Sequence, residues 1–116
     1  MDHDPRAYLW DARESADAIA SFVHGRTFED YRGDVMLRSA VERQFEIIGE
    51  ALRQLEKSAP DLAAKLPERS QAIAFRNMLI HGYDSIDDAI VWRTIHESLP
   101  ALRARLAALL DEAGNA

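Results

Sequence analysis

The chain has 116 residues, room for one domain and too few for two independent cores. An apolar fraction of 47% with 29% charged residues excludes a disordered chain. The net charge of −6 argues against a general binder of nucleic acid, which grips phosphates through basic excess, so any such contact has to be local.

Taken in order, the first segment opens with Asp4 as N-cap and Pro5 at the first helical position, and runs toward Gly25. Tyr8, Ala12, Ala16, Ile19 and Val23 give it one apolar stripe at three- and four-residue spacing. Thr27 to Asp30 reads as a short capped turn, and Gly33-Asp34 begins the second long helix. The stripe of that helix is Leu37, Val41, Phe45, Ile48, Leu52 and Leu55, and it ends ahead of Pro60. Gly49 lies inside it at a cost of about 1 kcal/mol relative to alanine, which predicts close approach of another backbone there.

Pro60 and Pro67 bracket a turn-rich stretch with Leu62 and Leu66. A third helix is predicted from about Glu68 to His81, broken by Gly82 and Asp84-Ser85. Asp87 caps the last segment, which runs from Asp88 to about Glu112 with Ile95, Leu99, Leu102, Leu106 and Leu109 as its stripe. Pro100 should kink or split it. No run alternates with period two, so the fold class is all-α. The architecture predicted is a single-domain four-helix up-and-down bundle over residues 1–116, core about 5–110, with one extra short helix or turn and a proline-kinked last helix. The tail from Ala113 to Ala116 is expected to fray.

There is no cysteine, so disulfides and thiolate metal sites are out. The start, Met1-Asp2-His3-Asp4-Pro5, lacks the basic and apolar regions of a signal peptide, and no apolar run approaches the roughly 20 residues of a bilayer span. A cytoplasmic protein that is not membrane-bound is expected. The histidines, His3, His24, His81 and His96, fall one per segment, and neither Glu-x-x-His pairs nor His-Glu-x-x-His occurs, so no metal or other cofactor is expected. His3 and His24 read as terminal or exposed, and His96 as a surface or interface residue.

The third helix differs from the rest. With Arg76 at zero on an ideal wheel, Ala72, Ile73, Leu79 and Ile80 fall within about 60° of it. A cation in the middle of an apolar face needs either an acidic partner, Glu46 or Glu50 of the second long helix, or a site that uses its charge. His81 lies about 140° around the same wheel. Arg76 and His81 can share one target if the helix ends so that the imidazole swings back, or if a second copy completes the site across a two-fold axis. Tyr83 follows in a polar turn, where it reads either as a reachable hydroxyl or as an amphipathic residue capping the bundle.

Arg76-Asn77-Met78-Leu79-Ile80-His81-Gly82-Tyr83 resembles the R-x4-H-x-Y motif of HEPN-domain proteins, in particular the HepT-like toxins. Ile47-Ile48-Gly49-Glu50-Ala51 is similar to a second segment of that branch, and Ile86-Asp87, Val91-Trp92 and Leu99-Pro100 to its last helix. One departure stands before the arginine, where the family often has a tryptophan and a small residue and this chain has Ala74-Phe75. The resemblance implies a HEPN-type bundle and a metal-independent endoribonuclease, the toxin of a toxin–antitoxin pair. It implies a homodimer with a composite site, an RNA substrate, and a minimal nucleotidyltransferase antitoxin that transfers AMP to Tyr83. His81 would be the general base or acid and Arg76 the phosphate-holding cation, supported by Asn77 and Glu50. The alternative is a non-catalytic module in which the same motif docks a nucleotidyltransferase or a nucleotide.

Overall fold

Four of the helices start where a side chain caps them. In the computed structural model, which describes residues 4–114, Asp4 accepts from the Arg6 amide ahead of α1, Pro5–Val23. Thr27 and Asp30 close a reciprocal capping box on the short α2, Phe28–Arg32. Asp34 caps α3, Val35–Ser58, by accepting from Leu37. Pro60 then opens the single turn α4, Pro60–Ala63. α5 spans Arg69–His81 and gives way at Gly82 to a 3-10 turn, Tyr83–Ser85. Asp87 accepts from Ala89 ahead of α6, Asp88–Glu97, and α7 is Leu99–Gly114.

Pro100 splits the last segment rather than bending it. α6 ends at Ser98, and α7 restarts at Leu99 so that Pro100 falls in its first turn, where a missing N–H breaks no helical bond. His3, Asn115 and Ala116 lie outside the described residues.

α3 is the centre of the bundle, with α1 packed along one side and α5 along another. α7 packs on α1, and α6 bridges α7 and α2. The stripe predicted for α3 is buried throughout, as are Ala12, Ala16, Ile19 and Val23 of α1 and Ile95, Leu99, Leu102, Leu106 and Leu109 of the last two helices. α5 is the exception. It rests mainly on α3, so only Leu79 is fully covered, while Ile73 is half-buried and Ile80 is exposed.

Where α2, α3 and α6 meet, Tyr31 is fully buried and its hydroxyl has no partner among the described residues. Burial, then the nearby Glu42 and Asp88 carboxylates, push its phenol up. The same setting holds the Glu42 carboxyl above its ordinary range, through burial first and then Asp88 and Glu46, with Arg38 opposing. A carboxyl whose native pKa is raised costs stability as pH rises through and beyond the ordinary carboxylate range, because the unfolded chain gives up that proton more readily. Glu42→Gln should therefore raise the melting temperature at pH 8, with the gain vanishing below the ordinary range. A gain equal at pH 4 and pH 8 would contradict this.

Candidate active site

Arg76 reaches its position because Gly49 lets it in. A Cβ built on Gly49 would sit 2.2 Å from Arg76 Cβ, 2.8 Å from its Cγ and 3.0 Å from the Ala72 carbonyl oxygen. The glycine therefore brings α5 into backbone contact with α3, at the residue before Glu50. The Arg76 guanidinium then meets Glu50 (Nη2 to Oε2, 3.2 Å) and donates from Nη1 to Asn77 Oδ1 at 3.0 Å. Of the two carboxylates left open by the sequence, Glu50 is the partner, and Glu46 lies beside Arg43 instead, at 3.5 Å.

Glu50 is itself held. Gln54 Nε2 donates to its Oε1 at 2.9 Å, and Arg53 Nη1 lies 3.4 Å from Oε2. The Gln54 hydrogen bond, followed by the charges of Arg76 and Arg53, keeps the Glu50 carboxyl below its ordinary range although partial burial opposes this. Arg76 is 22% exposed and Glu50 40% exposed, so the pair is reachable from solvent. Arg76 Nε is buried without a partner among the described residues. The guanidinium is thus oriented by two contacts and still partly exposed. It lines a cleft of about 270 Å³ between α1, α3 and α5, together with Tyr8 and Asp11 of α1 and Arg43 of α3. Gln54 carries no motif signal, but its spacing of four from Glu50 on one helix could have suggested the contact.

His81 and Tyr83 do not join this cleft. α5 stays helical through His81, and neither His81 nor Tyr83 is among the residues that line the Arg76 cleft. His81 is exposed, and Tyr83, 78% exposed, stands in the turn that follows. Within one protomer His81 is thus not brought into the Arg76 cleft. On the far side of α5 is a groove of about 280 Å³ lined by Phe45, Phe75, Met78 and Leu102. Its walls are mainly apolar, and Arg76, His81 and Tyr83 do not line it. Among the described residues no group of three or more His, Asp or Glu could hold a metal ion, and no helix is long and apolar enough to cross a membrane. His24 and His96 are exposed, as expected.

A helical bundle carrying Arg-x4-His-x-Tyr at the end of one helix, with the arginine set against a glycine of its neighbour, is a HEPN-type domain. Residues 12–109 match the family described as ribonuclease HepT-like, and the chain belongs to that family. A Thermococcus cleftensis protein named probable ribonuclease HepT is 33% identical over 109 residues, 94% of this chain and 98% of its own length. Similar proteins named as candidate RNases occur in Methanocaldococcus jannaschii, 32% identical over 86% of this chain and 91% of that one. Another, in Caldanaerobacter subterraneus subsp. tengcongensis, is 33% identical over 93% and 96%. No solved structure matches the chain with significance.

Proposed function

We propose that this protein is an endoribonuclease toxin that works without a metal as a two-fold dimer, and that a nucleotidyltransferase partner silences it by transferring AMP to Tyr83. The observation that carries this reading is the geometry of Arg76. It is held by Glu50 and Asn77 on a helix anchored at Gly49, yet it stays partly exposed and lines the cleft. Such a cation suits a phosphodiester, because it can meet charge that grows on the phosphoryl oxygens without first reorganising.

His81 takes the proton from the RNA 2′-hydroxyl, or returns one to the departing 5′-oxygen, as that hydroxyl attacks the adjacent phosphorus. The products are a 2′,3′-cyclic phosphate and a 5′-hydroxyl, and no metal is required. Because one protomer keeps His81 away from the Arg76 cleft, the imidazole of one chain serves the arginine of the other across the two-fold axis. Tyr83, exposed two residues beyond His81, is open to modification. AMP there adds bulk and negative charge beside the histidine, which opposes RNA phosphate.

The chain expressed alone should slow growth, and the purified protein should cut single-stranded RNA in excess EDTA. Co-expression with the partner should add AMP, seen by intact mass, in wild type and not in Tyr83→Phe. A protein that needs added metal, or one harmless without its partner, would sink the corresponding part. Glu50→Gln should lower kcat/KM about tenfold while the fold persists, since it frees the guanidinium from its fixed direction. An unchanged rate would remove Glu50 from the site.

A further inference from the structure

Arg93 is the one arginine that no ion pair engages among the described residues. Every other arginine lies within 4.0 Å of a carboxylate. Its side chain is exposed. It borders an open groove of about 440 Å³ between α2 and α6, shared with Phe28, Ala89, Trp92, His96 and Glu97.

The floor of this groove is aromatic. The Trp92 ring lies 6.2 Å from Phe28 and 4.5 Å from His96, with Tyr31 behind it at 5.5 Å. His96 Nδ1 donates to the Trp92 carbonyl at 2.9 Å, since a carbonyl can only accept, and this fixes the imidazole and leaves Nε2 outside that bond. A second depression of about 320 Å³ shares His96 with it and includes His24, Arg26 and Arg103. Gly25, at φ +73°, makes the left-handed turn that carries His24 and Arg26. Arg26 and Arg103 are partly neutralised by Asp34 and Asp17, at 4.0 and 3.0 Å, so the uncompensated cation is Arg93.

Flat rings beside a lone cation match what single-stranded nucleic acid offers, a π-face on each base and one negative charge on each phosphate. An acidic peptide would satisfy the charge and leave the aromatic floor without use. We propose that the α2–α6 groove is a subsite for one nucleotide of single-stranded RNA beyond the cleaved bond, with its base against Trp92 and Phe28 and its phosphate on Arg93. The proposal rests on the ribonuclease reading. It accounts for how an acidic protein holds RNA through a local contact.

The test uses the full chain and a fluorescein-labelled, single-stranded oligoribonucleotide of about ten nucleotides, titrated by anisotropy at several salt concentrations. Arg93→Ala should weaken Kd about fivefold to tenfold and reduce the salt slope by about 0.7, the value for one phosphate of a single strand. In a Trp10→Phe background, RNA should quench the remaining Trp92 fluorescence. An unchanged Kd and salt slope in Arg93→Ala overturns the subsite, as does a wild type that fails to bind the oligonucleotide. Altered self-association of Arg93→Ala in sedimentation, with oligonucleotide affinity intact, also overturns it by making this face a protein interface. Wild type that binds through Arg93 but cleaves nothing would sink the ribonuclease reading and leave the nucleotide site standing. Cleavage with no dependence of binding on Arg93 would do the reverse.

Discussion

His81→Ala should abolish the growth defect of the chain expressed alone and lower RNA cleavage about 10²- to 10⁴-fold, the usual contribution of a positioned acid or base. Stability should change by no more than about 0.5 kcal/mol, because the side chain is exposed at the last position of α5 and makes no hydrogen bond among the described residues. Equal toxicity with a native melting curve would remove the imidazole from the chemistry. The composite site has its own test. Mixed dimers of His81→Ala and Arg76→Ala chains contain one protomer with an intact imidazole and one with an intact guanidinium. They should recover a measurable share of the activity that neither homodimer has. No recovery, with mixed dimers shown to form, would place both groups in one protomer and contradict the separation seen along α5.

Gly49→Ala should destabilise the fold by about 1–3 kcal/mol, as overpacked helix contacts do, even though alanine is preferred inside a helix by about 1 kcal/mol. Each kcal/mol should lower the melting temperature by roughly 4–8 °C in a domain of this size. The added methyl would meet Arg76 Cβ at 2.2 Å and the Ala72 carbonyl at 3.0 Å, neither of which is the free end of a flexible side chain. α5 must therefore move away from α3, carrying Arg76 off Glu50, and cleavage should fall with stability. Steric and charge effects separate in a double-mutant cycle. In an Arg76→Ala background the Cβ remains and the cost of Gly49→Ala should persist, whereas Arg76→Gly should reduce it. A Gly49→Ala variant as stable as wild type would show that the helices are not in close contact there.

The long helices were legible because their signals are local. Asp4 and Asp87 as caps, the start at Gly33-Asp34, the apolar stripes of α1 and α3, and the stop before Pro60 each depend on residues a turn or two apart. α5 was less legible for a matching reason. Its wheel places Ile73 and Ile80 beside Leu79, but a helix that rests mainly on one neighbour covers a narrow strip, and Ile80 remains exposed. The glycine inside α3 correctly signalled a close approach, while the identity of what approached it was not available from spacing.

The segment Arg76 to Tyr83, its helix and its break at Gly82 were determined by sequence alone, as was the need of Arg76 for either an acidic partner or a site that uses its charge. Tertiary structure decided that the partner is Glu50 and not Glu46, because Gly49 sets the point at which α5 meets α3. It also decided that His81 stays out of the Arg76 cleft, since α5 remains helical through that residue. Only the packed chain singles out Arg93. An arginine's freedom depends on which carboxylates the fold brings within reach, and those partners can be as far apart in sequence as Asp17 and Arg103.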